Sequence, residues 1–320
     1  MTENDCKIAI MKRFLQIAGI VLLVASVVSL APVAGLYLSK EPAPYTNAQA
    51  AEKLAANKGD SFRFLVFSDS HAGLVLSDSA FLKTVRNMNR EDRFKKTPVD
   101  FAVSSGDITF RGSIWDFHIF NIIRSRIKWP VICSAGNHDD DNRKVKDLFK
   151  KYCGSNAMSF VDRNSYFITI DNTITNITEK QFIWLEAELE KSQAYAHRFV
   201  IMHKPPVSPY QQAWYRPEQG VWPYKFMKLC EKYKVDVVFT GHEHMFKKSS
   251  YGGVKYVTAG GAGMPMDIPT SEGGYQHYVV VRVLGDYVDL EVRKVFPPLW
   301  EYLCYYMWKD IFYTLRSVLI

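Results

Sequence analysis

The chain has 320 residues, 48% hydrophobic and 23% charged, which is enough apolar material to bury a full core and too ordinary a composition for disorder. Its 40 basic and 33 acidic residues leave a net charge of +7, which favours anionic ligands or an anionic membrane face. No basic helix, zinc-finger spacing or RNA-binding signature accompanies that charge, which argues against a nucleic-acid partner.

Residues 1–13 form a short polar and basic tail. Residues 14–38, FLQIAGIVLLVASVVSLAPVAGLYL, carry no charge and as a helix are long enough to cross a hydrocarbon core of about 30 Å. The stretch exceeds the apolar region of a cleavable signal peptide, and a cut after Ala31 would place Pro32 directly behind it, so an uncleaved anchor is favoured. Lys7, Lys12 and Arg13 precede it and only Lys40 follows closely, which puts the amino terminus in the cytoplasm and everything after the anchor outside. Residues 39–60, rich in Pro, Ala and polar side chains, read as a linker or stalk with a turn or two of helix around Ala48–Ala56.

From Ser61 the pattern alternates: strand FRFLVF, helix around Ser79–Arg90, strand VDFAVS, helix Ile114–Ser125, strand PVICSA, helix around Arg143–Tyr152. Such alternation implies an α/β domain with a mainly parallel sheet. A hairpin-like pair, AMSFV and SYFITI, follows. A helix then opens at Thr178 with Gln181 three residues on, a capping box. HRFVIM and VDVVFT are two further strands, and short strands near 246–250, 253–258, 277–283 and 287–292 finish the domain, which spans 61–295, as antiparallel hairpins. Residues 296–320 crowd Trp300, Tyr302, Tyr305, Tyr306, Trp308, Phe312 and Tyr313 among charges that argue against a second span. Two readings stand for that tail, a helix lying on a bilayer or a helix packed on the domain. Of five cysteines, Cys133 reads as a buried free thiol, while Cys153, Cys230 and Cys304 leave pairing open and Cys6 precedes the anchor.

Chemistry-bearing residues close the apolar strands one after another: Asp69 and His71, then Asp107 behind Ser-Ser-Gly, then Asn137, His138 and Asp139 behind Gly136, then His203, then His242 and His244 behind Gly241. Each segment alone is weak. Five of the eight histidines nevertheless fall at strand ends, where side chains from distant parts of an α/β chain meet in one crevice, while His118, His197 and His277 have no motif around them. Carboxylates with imidazoles suit borderline or hard cations such as Mn, Fe or Zn.

In this order, DxH, GD, GNHD, H and GHxH resemble the calcineurin-like metallophosphoesterase superfamily over Phe62 to about Val292, nearest to members similar to purple acid phosphatases and cyclic-nucleotide phosphodiesterases. The resemblance implies two packed mixed β-sheets flanked by helices, an αββα sandwich, preceded here by the N-terminal transmembrane helix. It also implies two divalent or trivalent metal ions, Asp69, His71 and His244 holding one, Asn137, His203 and His242 the other, with Asp107 bridging. His138 matches the histidine that contacts phosphate and assists the leaving group, and Asp139 would orient it. The tyrosine ligand of purple acid phosphatases is missing, since Ile108, Thr109 and Phe110 follow Asp107, so an iron tyrosinate is not expected.

Two cations about 3.5–4 Å apart acidify a shared water and align it for attack on phosphorus. The expected activity is hydrolysis of a phosphomonoester or phosphodiester by a membrane-anchored enzyme with its domain outside the cytoplasm. A lipid-directed phosphodiesterase or pyrophosphatase and a non-catalytic metal-binding scaffold are the alternatives. The insert Val207–Tyr224, with Tyr210, Trp214, Tyr215, Arg216 and Trp222, either caps the crevice or packs on the surface.

Overall fold

The computed structural model describes residues 34–94, 97–139, 148–173, 176–207, 222–266 and 268–295. Most of the expected anchor, the aromatic tail 296–320 and the greater part of the insert 207–224 lie outside those residues. Among the described residues, no helix is long and apolar enough to cross a membrane.

Among the described residues, eleven strands form two mixed sheets, with strand orders β11-β10-β1-β2-β3 and β4-β5-β6-β7-β9-β8. The strands are β1 Ser61–Phe67, β2 Val99–Ser104, β3 Val131–Cys133, β4 Met158–Asp162, β5 Ser165–Thr169, β6 His197–Ile201, β7 Val237–Thr240, β8 Phe246–Tyr251, β9 Val254–Ala259, β10 His277–Leu284 and β11 Tyr287–Lys294. Among the described residues from 40 onward, the α-helices are α1 Asn47–Leu54, α2 Val75–Met88, α3 Ile114–Arg124, α4 Leu148–Cys153, α5 Glu179–Lys191 and α6 Trp222–Lys232. One parallel sheet, as the alternation alone suggests, is therefore not what forms. Strands β1, β2 and β3 run parallel, but β10 returns to pair antiparallel with β1. In the other sheet β5, β6, β7 and β9 run parallel between antiparallel edges β4 and β8.

Side-chain alternation explains the layering. Phe199 and Ile201 of β6 point to the inter-sheet core, while Val200 and Met202 point to a second core under α5 and α6 with Leu185, Leu189, Phe226 and Cys230. Between the sheets Phe64 is the hub. Its ring stacks on Phe101 at 5.1 Å and meets Phe167, Phe199 and Phe239 edge-on at 5.2, 5.2 and 5.9 Å. All five rings are fully buried, and each contributes roughly 1.5–3 kcal/mol by leaving water.

Local signals set the helix starts. The capping box at Thr178 forms, with Gln181 Oε1 accepting from Thr178 N at 2.8 Å, and Ser113 with Asp116 makes another at α3. Helix α2 begins at Val75, four residues ahead of the expected start, because Asp78 accepts from Gly73 N at 2.9 Å and draws the loop into the first turn.

The stalk expected over 39–60 is corrected in part. Thr46 caps α1, Ala50 and Leu54 enter the inter-sheet core, and Asn47 bonds both the carbonyl and the amide of Cys133, at 2.7 and 2.9 Å. Tyr45 Oη accepts from Val131 N at 3.0 Å. An Ala-rich helix docked by a buried amide is part of the domain, since its polar groups are satisfied only there. Cys133, Cys153 and Cys230 are buried free thiols.

Candidate metal centre

The loops leaving β1, β2, β3, β6 and β7 converge at one end of the sandwich. Backbone bonds lock them together: Asp69 N to Gly106 O at 3.0 Å, His71 N to Asp107 O at 3.1 Å, Gly241 N to His203 O at 2.9 Å. Of the six non-glycine residues with positive φ among the described residues, four are Asp69 (59°), His71 (42°), Asp107 (48°) and His242 (70°). Backbone strain concentrated this way marks a functional site, where the surroundings hold side chains in a geometry that relaxed strands would not give. Glycines permit close approach here, for a Cβ on Gly136 would lie 2.1 Å from Asp107 Oδ1 and one on Gly241 2.0 Å from Ser68 Oγ.

Three overlapping groups of ligating atoms result, each mutually within 4.8 Å: Asp69, His71 and His244; His71, Asp107 and His138; Asp107, His203 and His242. Asp107 lies at the junction, with His71 Nε2 at 3.5 Å and His203 Nε2 at 3.2 Å from its Oδ2. On the first side, Asp69 Oδ1 stands 3.8 Å from His71 Nε2 and 3.6 Å from His244 Nε2. Both Asp69 oxygens also accept from His242 N at 3.1 Å.

The donors fit a cation. His71 Nε2, His203 Nε2 and Asn137 Oδ1 are buried without a hydrogen-bond partner, a costly state for polar atoms unless they ligate a metal. His203 Nδ1 is taken by Ser105 O at 3.0 Å, which fixes the tautomer and leaves Nε2 as the ligating atom. Electrostatics agree. Burial alone would raise the Asp107 pKa, yet His203, His71 and His138 hold it well below the carboxylate range. Burial opposes a charge on His203, but Asp107 lifts its pKa to about 9. His242 is pushed down to about 4 by burial and by the neighbouring His203. Two buried carboxylates ringed by imidazoles thus demand positive charge.

Every sequence-selected residue lies in this end of the fold, but one role needs correction. Asp139 does not itself orient His138. Its carboxylate accepts from the amides of Ile108, Thr109 and Gly136 at 3.2, 2.8 and 2.8 Å and from Thr109 Oγ1 at 2.6 Å, clamping the β2 and β3 loops together. The His138 ring is set by Phe110 O, 2.8 Å from Nδ1, while its amide donates to Asp107 Oδ1 at 2.9 Å. Burial, followed by repulsion from Asp107, raises the Asp139 pKa to about 7.

Sequence reasoning missed Asn172 and Phe110. Asn172 Oδ1 accepts from His203 N at 2.9 Å and Lys204 N at 3.2 Å, holding that loop in place. Its position just past β5, at the same sheet end, was the available signal. The Phe110 ring packs 6.3 Å from both His71 and His138.

Comparison with known proteins agrees with this geometry. Two curated relatives are each described as "Probable cyclic nucleotide phosphodiesterase". The one from Ruthia magnifica is 24% identical over 226 residues, 69% of this chain and 94% of its own. The one from Vesicomyosocius okutanii is 23% identical over 193 residues, 59% of this chain and 80% of its own. Among solved structures, GAP50 of Plasmodium, described as the anchor in the inner membrane complex, superposes with a TM-score of 0.55 at 14% identity over 74% of this chain and 85% of its own. A family model, calcineurin-like phosphoesterase, matches residues 62–246, the span holding all the strand-end segments. The chain belongs to the calcineurin-like phosphoesterase family and is a metal-dependent phosphoesterase, a hydrolase.

Proposed function

We propose that the chain hydrolyses phosphodiesters or phosphomonoesters at a two-cation centre and is held at a membrane by residues 14–38. Asp69, His71 and His244 would hold one cation and Asn137, His203 and His242 the second, with Asp107 shared between them. The carrying observation is that Asp107 belongs at once to the groups with His71 and with His203 and His242. Mn, Fe and Zn all suit this mix of carboxylate, amide and imidazole. Bound there, two divalent cations supply Lewis acidity and lower the pKa of a shared water.

The protein's own contribution is positioning and proton transfer. Asp107 is fixed by the His138 amide and, in the loop beside it, by the Asp139 clamp, so the ligand set is pre-organised. With Nδ1 of His138 engaged by Phe110 O, Nε2 is the atom that can carry a proton to a departing oxygen. Asn172 holds the His203 loop by its backbone amides.

The names of the two curated relatives favour a phosphodiester substrate. The basic residues before 14–38 favour a domain outside the cytoplasm. The test is to assay the purified full-length chain with Mn, Fe(II) or Zn against bis-p-nitrophenyl phosphate, p-nitrophenyl phosphate and cyclic AMP. Metal-dependent release from any of the three supports the reading, and release from the diesters alone marks a phosphodiesterase. A chain that binds both cations and cleaves none of the three is a metal-binding scaffold instead.

A further inference from the structure

Four of the nine large hydrophobic side chains exposed among the described residues gather in one place: Val75 (40%), Leu76 (61%), Ile114 (62%) and Trp115 (47%). They occupy the first turns of α2 and α3, which begin four residues after His71 and seven after Asp107. The two turns adjoin. Ala72 and Thr109 form a β-bridge, Arg111 N donates to Asp116 Oδ2 at 2.9 Å, and a Cβ on Gly73 would fall 2.1 Å from Asp116 Oδ1. The patch therefore borders the metal centre, and Arg111 adds an exposed cation to it, its guanidinium 4.9 Å from the Phe110 ring.

This mixture has a recognisable solvent. A Trp and aliphatic side chains on two helix starts, with an Arg in the loop before one of them, suit the headgroup level of a bilayer, where an indole is half-wet and an Arg meets anionic groups. The route of the chain says which surface covers the patch. Glu41 Oε2 pairs with His118 Nδ1 at 2.9 Å, Asn121 Nδ2 donates to Pro42 O at 2.7 Å, and the His118 ring stacks on Trp115 at 5.2 Å. Residue 41 is thus pinned to α3 beside Trp115. The uncharged stretch 14–38 ends three residues earlier, and three residues of chain reach at most about 11 Å.

We infer that the first turns of α2 and α3 rest on a phospholipid bilayer, so that the metal centre opens at headgroup level and meets phosphoesters presented on a membrane. This rests on reading residues 14–38 as a membrane anchor.

The test uses the full-length chain reconstituted in phosphatidylcholine and phosphatidylglycerol vesicles that contain an acyl-brominated lipid, a short-range quencher of indole fluorescence. Trp115→Phe should lose part of the quenching seen in the parent, whereas Trp184→Phe, in α5 under the other sheet, should lose none. Equal quenching in parent and Trp115→Phe overturns the inference, as does a chain that fails to float with vesicles. Hydrolysis of bis-p-nitrophenyl phosphate is measured on the same vesicles. Activity with unchanged quenching overturns the bilayer contact and leaves the phosphoesterase chemistry standing. Quenching lost in Trp115→Phe without activity supports the contact and sinks the proposed chemistry.

Discussion

The two ends of the β-sandwich bury charge by opposite rules. At the end where β1, β2, β4, β5 and β6 meet away from the metal centre, buried and half-buried polar groups find protein partners: Arg163 Nε donates to Asp100 Oδ2 at 2.8 Å, Arg63 pairs with Glu91 at 3.4 Å, and His197 Nε2 bonds Gly285 O at 2.8 Å. At the other end, Asp69 and Asp107 are equally buried, but His71 Nε2, His203 Nε2 and Asn137 Oδ1 are left without hydrogen bonds and four residues take positive φ. One end finds most of its partners within the protein. The other would be complete only with cations, whose ligation would offset its strain and unmade bonds.

That contrast can be broken most severely by removing metal. Exhaustive chelation should abolish hydrolysis and lower the thermal midpoint, both recovering with Mn. A cation at a hundredfold over its Kd stabilises by about 2.7 kcal/mol, a shift of roughly 5–10 °C for a domain of this size. A midpoint indifferent to metal, read by differential scanning fluorimetry, would show that the centre completes nothing. Asp107→Asn should come next, because the shared ligand loses its charge. Activity should fall by more than about 10²-fold, given that even outer partners of metal sites cost 10- to 100-fold. Bound metal, counted by plasma mass spectrometry, should drop at both positions, and a variant retaining two ions per chain would remove Asp107 from the bridge. His138→Ala sharpens the picture further, since it should keep both ions and the midpoint yet lose about 10²- to 10⁴-fold in turnover. Parent rates in that variant would leave proton transfer to another group.

How much of this was legible follows from which partners carry a sequence signature. Side-chain ligands at strand ends do: Asp69, His71, Asp107, His203, His242 and His244 were all identifiable from short motifs, and they converge. Main-chain partners do not. Nothing in the letters says that Phe110 O would hold His138 or that Asp139 would spend both its oxygens on loop amides. The docked helix α1 was hidden for a related reason. Its attachment depends on one amide, Asn47, meeting a carbonyl and an amide of Cys133 eighty-six residues away, while its local composition is that of a linker. The strands were legible one by one from alternation and β-branched content. Their division into two sheets was not, because it turns on β10 returning to β1, a pairing that crosses most of the domain. Only the resemblance anticipated it.

The smallest expected effect lies at the opposite end and tests whether that end is as complete as it looks. Asp162 there is one exception: Asn57 donates to its Oδ1 at 2.7 Å, but its Oδ2 is buried without a partner. Burial, reinforced by the Asp100 carboxylate, raises its pKa from 3.8 to about 7. A carboxyl raised in the folded state binds a proton that the unfolded chain has already released. Its stabilising share is therefore full below about pH 4 and falls away as the pH climbs towards 7. Asn keeps an oxygen for Asn57 and offers an N–H towards Asp100 without ionising. Asp162→Asn should thus flatten stability between pH 4 and 7 and leave the variant the more stable protein at pH 8, by roughly 1–2 kcal/mol after allowing for screening near the surface. Urea midpoints at pH 5 and pH 8 decide it. Parallel pH profiles for parent and variant would mean that Asp162 is ionised throughout, with its second oxygen satisfied by water, and that both ends of the sandwich leave part of their charge to the solvent.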